Sequence, residues 1–595
     1  GFRVTFFDEE KCLKLKSAKN KKMDGLKKLQ LKESSFVVLT RHFFQRLFLN
    51  ETVFFEEQMT GKVVSIIALL AIFPAAVADY LLFPYLILPE KPEAWLEICE
   101  MTTLSMLLLG LVTIFVWDMI FLDRQDFLNL MPLPLKPLTV FSAKFASLVM
   151  FVGLFAIGIN SLSSIVFAIF LGQAKYYGLF SAFLLFLTHL LVMFLAGAFI
   201  FFALGLIVGF FNILLRGKIF RRISDLLRFG LIVAHIFVLY FFLIDTHFIQ
   251  KQFESFKALQ GSPTSFMMNF PPLWFTGLYE VLQGNRQPFF RQLAFRAIVA
   301  LVIAVAAFFL ITLISYNRYL KKISPEGAKH YRPSILRRLA EPVLNLTILR
   351  QPAERAVFWF YGSALSRSRL HRTRILSYLG IGFGVSLIMF VSTGKFFWKA
   401  QAGNMLSLPL VLSFFLVLGI RDATNIPLNL EANWIFEITE TSRRWSYFSA
   451  LRKSIFFFAL IPLYFLLFVF YGFIWNWTTA GIHCLYDLAL AVLLVEALFF
   501  QHRKFPFACS YLPGKSKLYI FWLVYVLLFL GYVFIPRWIE PYFLARPSRL
   551  LGFYGVIILI IAGLWLYHRY FFYEKNQILY EDNPEPALLE LFHAT

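Results

Sequence analysis

Charge is scarce in this chain. Asp, Glu, Lys and Arg make up 15% of its 595 residues, against about 25% in ordinary soluble domains. Cysteine is nearly absent, and Cys12, Cys99, Cys484 and Cys509 are scattered with no CxxC pair. That excludes a disulfide-stapled secreted scaffold and a paired-thiolate metal or redox motif. There is no GxSxG elbow, no HExxH, no EF-hand loop and no pair of carboxylates on a sizeable soluble domain, so the common hydrolase and metalloprotease chemistries have no sequence basis. No two histidines share the i, i+4 spacing of a helical metal pair. Catalytic, cofactor and metal sites are therefore not expected in this chain.

Apolar residues are abundant instead. They form 59% of the chain, 74 of them phenylalanine, and mean hydropathy is +0.69. A soluble fold of this length has too much surface to hide so much apolar area, and the composition is equally far from that of a disordered chain. The sequence reads as an integral membrane protein. Its net charge of +22 would suggest nucleic acid in a soluble protein, but here it is read as topology, because Lys and Arg collect in cytoplasmic loops. The chain opens on Gly1, which points to a start further upstream. Its first 33 residues hold ten Lys and Arg and no apolar core, unlike a secretory signal peptide.

A helix needs about 20 apolar residues to cross about 30 Å of hydrocarbon. Twelve runs meet that need, at 63–88, 101–121, 145–171, 178–213, 229–247, 294–316, 375–393, 405–420, 454–475, 482–501, 518–536 and 550–568. Continuous apolar runs favour helices over the alternating strands of a barrel. With the N-terminus inside, the inner segments carry 45 of the 57 Lys and Arg. Splitting the long run at 178–213 would carry Arg216, Lys218, Arg221, Arg222 and Arg228 outside, so one long helix is expected there.

The chain also reads as a repeat. Phe141-Ser142-Ala143 opens the third run and Phe448-Ser449-Ala450 the ninth, and at nearly the same offset the second, third and fourth runs map onto the eighth, ninth and tenth. The expected fold is an all-α polytopic membrane protein with about twelve transmembrane helices in a parallel 6+6 repeat, both termini inside. The expected parts are a basic N-terminal segment (1–35), a first six-helix half (36–320), a linker with an interfacial helix (321–374), a second half (375–568) and a tail (569–595). Amphipathic stretches at Phe36–Thr60 and Glu354–Arg374, with aromatics beside cations, suit helices lying in the headgroup plane ahead of each half.

The inner loop from Trp117 to Lys144 contains WDMIFLDRQDFLNLMPLPLKPL and ends in Ala143-Lys144. It resembles the first cytoplasmic loop of type-2 ATP-binding cassette (ABC) exporter permeases, where an acidic-basic stretch, an L-x-x-L-P run and a lysine at the next helix start form a coupling element. The resemblance extends to a preceding interfacial helix, six spans per half and a large outer excursion, here the segment with Pro263 and Asn269 to Glu280. It covers residues 36–320 and, by architecture, the second half. It implies a fused permease of an ABC exporter in the bacterial inner membrane. Two cytoplasmic ATPase subunits carrying ATP-Mg would bind beneath Asp123–Lys136 and Glu431–Arg444.

Independently of the family, a short helix apolar on one side and charged on the other can sit in a groove of a partner or lie on lipid. In the first loop Asp123, Arg124 and Asp126 would face water or the partner, with Phe127, Leu128 and Leu130 as the anchor. In the second, Glu431, Asn433, Trp434, Phe436, Glu437 and Glu440 take the matching places, with Trp434 as anchor. The chain has no ATPase of its own, since Cys509–Ser516 ends in Gly-Lys-Ser but has Cys where the first Gly of a phosphate loop belongs. Of the ionisable groups at membrane depth, Asp79, His189, His235 and Glu496 are functional candidates. Glu496 is read either as a proton or substrate contact or as a glutamate bonded to a neighbouring helix. His189 and His235 are expected to make interhelical hydrogen bonds. The alternative functions are an ATP-independent secondary transporter or scramblase, with Glu496 or Asp79 as the coupling group, and a non-transporting membrane subunit of a larger complex. Partners of every reading include the bilayer and exclude nucleic acid, and the substrate is unreadable beyond a lipid-like or hydrophobic class suggested by the phenylalanines.

Overall fold

The computed structural model describes residues 34–48, 56–87, 94–117, 120, 130, 133, 135–174, 178–215, 217–243, 266–321, 335–391, 405–428, 434–438, 440, 443–500, 502–507, 518–573 and 578–580. Among them the backbone is helical, with no strand and one isolated parallel bridge between Lys504 and Leu579. In chain order the helices are α1 (Ser35–Phe48), α2 (Glu56–Ile87), α3 (Trp95–Val116), α4 (Pro137–Ala174), α5 (Leu179–Leu214), α6 (Gly217–Leu243), α7 (Pro271–Leu282), α8 (Pro288–Lys321), α9 (Ile335–Thr347), α10 (Pro352–Arg367), α11 (Arg369–Val391), α12 (Leu408–Thr424), α13 (Trp434–Ile438), α14 (Trp445–Ile455), α15 (Ile461–Ile474), α16 (Trp477–Leu498), α17 (Leu518–Leu544) and α18 (Pro547–Tyr567). A π-helical turn, Phe456–Leu460, joins α14 to α15, and another, His568–Phe572, extends α18.

Ten of the described helical segments are long and apolar enough to cross a membrane, so the chain is an integral membrane protein of the helical kind. The two further spans expected from sequence fall on α11 and α12. The first two turns of α11 carry Arg369, Arg372 and Arg374. Helix α12 has 17 residues, about 26 Å at 1.5 Å per residue, slightly short of the hydrocarbon thickness. Helix α5 is one unbroken element of 36 residues, as the charge distribution required.

The chain divides into two compact units. In the first, α1 lies against the start of α4. Leu39 and Phe43 are enclosed with Val140 and Ala143, and Leu130 and Leu135 pack on them. The buried Lys144 ammonium stands 5.0 Å from the Phe43 ring centre. Burying an aliphatic stem while the ammonium meets an aromatic face is the economical way to hold a lysine there.

The second unit holds the rest of the bundle. Within it Ile114 and Trp117 of the α3 end, Leu204 and Val208 of α5 and Ile232 of α6 meet in one cluster, with Ile381 of α11 packed on it. The Trp117 indole N–H donates to Ser224 Oγ at 3.1 Å, giving a buried polar atom the partner it needs. Helix α7, inside the expected outer excursion, packs on α8, α5 and α3. Its Gly277 permits the approach, since a Cβ there would stand 2.4 Å from Leu293 Cβ and 3.0 Å from the Phe290 carbonyl oxygen. Asn476 caps α16, its side chain accepting the Thr479 N–H at 2.7 Å, which is the ordinary start signal of a helix.

Helices α6 and α11 are bound to each other by apolar packing and charge. Gly380 and Gly384 lie against Ile232 and Ile236. Beside them the buried Asp225 carboxylate accepts from Arg372 Nη2 at 2.7 Å and from the Thr373 hydroxyl at 3.3 Å.

Candidate functional site

Asp123, Arg124, Asp126, Phe127 and Glu431 lie outside the described residues, as do the phosphate-loop look-alike Cys509–Ser516 and the side chain of Trp434. Leu130 is an anchor of the first loop, packed onto the α1–α4 cluster. In the second loop the stub helix α13 is held by Phe436, stacked on Phe505 at 4.6 Å and tilted against Phe360 at 5.3 Å. The Tyr580 hydroxyl donates to the Phe436 carbonyl at 3.4 Å. Phe436 thus anchors α13 among the described side chains. Away from this contact, Glu437 is exposed and Ile438 is 74% exposed. Glu440 faces its own segment and accepts from Arg444 Nε at 2.7 Å.

The floor under α13 is an aromatic hub. Phe507 adopts φ of 65°, a conformation costing a non-glycine residue roughly 1–2 kcal/mol. Its backbone is over-determined: its N–H donates to the Thr424 carbonyl at 2.9 Å and its carbonyl accepts from Leu428 N–H at 2.8 Å. The Phe507 ring meets Tyr361 and His371 at 5.6 and 5.0 Å. His371 bridges the Ser368 hydroxyl at 2.6 Å and the Ile426 carbonyl at 2.8 Å, and burial holds its proton affinity below the ordinary value. Helix α10 closes the hub. Glu354 accepts from Ser449 Oγ and Lys453 Nζ, both at 2.7 Å, and Ser454 Oγ donates to the Phe358 carbonyl at 3.2 Å.

The four membrane-depth candidates are not brought together. Asp79 is exposed on α2. His189 is fully buried without a hydrogen bond. It stacks on Phe167 at 4.1 Å and meets the edge of Tyr279 at 6.0 Å, so the expected interhelical bond is replaced by aromatic packing. His235 bonds within its own helix, Nδ1 to the Leu231 carbonyl at 2.8 Å, again not to a neighbour. Glu496 has a cationic partner on a neighbouring helix. Its Oε2 lies 3.0 Å from Arg452 Nε and 3.8 Å from His568 Nδ1, and the Arg452 guanidinium rests 5.3 Å from the Trp445 ring centre.

About nine residues earlier on α16 lies a cluster that sequence reasoning missed. His483 and Asp487 stand one turn apart, and Glu540 reaches them from α17; all three side chains are fully buried. His483 Nδ1 is 2.5 Å from Glu540 Oε1, and its Nε2 is 3.4 Å from Asp487 Oδ2. Tyr471 and Trp475 meet the imidazole at 5.1 and 5.4 Å. Tyr471 itself is fixed by donating to the Met405 carbonyl at 2.6 Å. Of the described residues, this trio could hold a metal ion, one ligand atom from each lying within 4.8 Å of the others. The signal that could have found it is the mixed His-Asp spacing at i, i+4, which a rule confined to paired histidines passes over.

Near α9 to α12 runs an apolar groove of 800 Å³ whose lining includes Leu344, Trp359, Leu416, Phe458 and Leu466. Compared with known protein families, with characterised proteins and with solved structures, the chain matches none.

Proposed function

We propose that this chain is the membrane-spanning permease of an ATP-driven exporter of the ABC type, worked by separate cytoplasmic ATPase subunits. The observation that carries the reading is α13: a five-residue helix between α12 and α14, clamped on one side by Phe436 and presenting Glu437 and Ile438 on the other. A stub so held transmits a push to the bundle rather than absorbing it, and an exposed isoleucine beside an acid suits a partner groove.

Two further features support it. In each half an amphipathic helix lies against the Phe-Ser-Ala segment that opens the next long helix, α1 against Val140 and Ala143 and α10 against Ser449 and Lys453. These matching contacts support a parallel 6+6 repeat. The groove beside Trp359 and Phe458 suits a lipid-like or hydrophobic substrate.

The test is purification of the tagged full chain from its native membrane in mild detergent, with mass spectrometry of what accompanies it. A stoichiometric soluble protein bearing a phosphate loop, lost from Ile438→Asp while the thermal unfolding of that variant stays unchanged, is the expected result. A chain that purifies alone, or with membrane proteins only, would overturn the reading and favour a carrier or a scaffold respectively.

A further inference from the structure

The trio on α16 and α17 contains an imbalance that packing alone leaves unexplained. Two carboxylates and an imidazole are enclosed completely, and among the described residues neither acid has a Lys or Arg within ion-pair distance. Asp487 Oδ1 and Oδ2, Glu540 Oε2 and His483 Nε2 are all enclosed without a hydrogen bond. A buried charge is ordinarily paired, bonded or bound to a metal, and each unpartnered buried polar atom requires a physical reason.

The hydrogen bond at Nδ1 supplies a direction. Carboxylate acceptors bind the N–H form, so Glu540 places the ring proton on Nδ1 and leaves the Nε2 lone pair facing Asp487 Oδ2. A lone pair and a carboxylate oxygen repel each other unless a proton or a metal cation lies between them. Their separation of 3.4 Å is the edge of a tetrahedron whose ligands stand about 2.0–2.1 Å from its centre. A carboxylate holding the far nitrogen of a metal-ligating histidine is the usual way such a ring is oriented. The ring's freedom is further reduced by Tyr471 and Trp475. His483 lies six residues into α16, about 9 Å along its axis.

We infer that His483, Asp487 and Glu540 form a binding site for one divalent transition-metal ion of the zinc class. His483 Nε2 and an Asp487 oxygen are the primary ligands. Glu540 orients the imidazole through Oε1, and its unpartnered Oε2 completes the anionic set. The mixed nitrogen and oxygen donors favour zinc or manganese over the oxygen-only preference of calcium and magnesium. This site is independent of the partner surface at α13.

The experiment uses the full chain in detergent, stripped with a chelator, re-purified and titrated with zinc alone, with bound metal read by elemental mass spectrometry. Cobalt substitution reports geometry through its visible bands. One equivalent per chain with tetrahedral cobalt bands is expected, together with a metal-dependent rise in Tm. Asp487→Asn should weaken binding by at least the ~10–100-fold typical of lost metal-site groups, and Asp487→His should restore it. Should Asp487→Asn fail to fold, Glu540→Gln and the wild-type Tm with and without zinc decide between a metal site and a purely structural trio. Substoichiometric zinc in the wild type, no zinc-dependent Tm shift, or equal binding by the wild type and Asp487→Asn would each overturn the site and leave a hydrogen-bonded triad.

Discussion

Replacing Arg452 by methionine separates a structural role for Glu496 from a transport role. The two side chains meet at 3.0 Å with only 9% and 13% exposed. Attraction between unit charges at that distance is about 5–6 kcal/mol at an effective dielectric of ~20. Desolvation consumes several kcal/mol per ion, so the pair as a whole contributes little net. The asymmetry is what matters, because Arg452→Met leaves the Glu496 carboxylate enclosed and unmatched at a cost of about 3–5 kcal/mol. Glu496→Gln should cost less, since the stranded Arg452 retains the Trp445 ring at 5.3 Å, and a desolvated cation over indole retains up to ~2 kcal/mol. The double variant Arg452→Met/Glu496→Gln should recover most of the loss. A double-mutant cycle by reversible unfolding in mixed micelles measures all three. Single variants within ~0.5 kcal/mol of wild type, or a double variant as damaged as the sum of its singles, would refute the buried-pair reasoning.

Gly277→Ala should loosen α7 from α8, as its Cβ would press on Leu293 Cβ and the Phe290 carbonyl; a loss of about 1–3 kcal/mol, typical of overpacking, is expected in thermal unfolding. Tyr471→Phe strands the Met405 carbonyl now bonded at 2.6 Å, which should cost about 1–3 kcal/mol by the same assay. His502 is pushed down to about 3, first by burial and then by Arg421, Arg452 and Lys504. An unfolded histidine titrates near ~6.5, so between those values the unfolded chain binds more protons. Its contribution to stability is therefore complete above that upper value and declines as pH falls below it. His502→Phe should accordingly show a smaller drop in Tm between about pH 7 and pH 5 than the wild type.

Long apolar runs are the legible part of this molecule. Helix α5 spans Leu179–Leu214 where the sequence indicates 178–213, because no Asp, Glu, Lys or Arg interrupts it and the arginines that follow mark its end. Helix ends containing proline are less readable. The eleventh run ends at 536 on its apolar pattern, yet α17 continues to Leu544 with Pro536 and Pro541 inside it, which is tolerable where neighbouring groups satisfy the freed backbone. Side-chain partnerships are nearly illegible. Depth in the membrane singles out candidates one residue at a time, whereas Glu496 is defined by Arg452 and His483 by Glu540, 57 residues away. Phe436 anchors α13 because Phe505 and Phe360 converge on it, and no local pattern announces that convergence.

The joint between α6 and α11 also sets a timetable for synthesis. Asp225 and Arg372 are separated by 147 positions in the chain. At ~5–20 residues per second of translation, the carboxylate waits roughly 7–30 seconds for its guanidinium. During that interval Ile232 and Ile236 have not yet met Gly380 and Gly384, and the newly inserted α6 must be sheltered by lipid or by the insertion machinery. Assembly of the later helices is thus tied to an unfinished face on an earlier one, and the order of membrane insertion becomes part of how this protein folds.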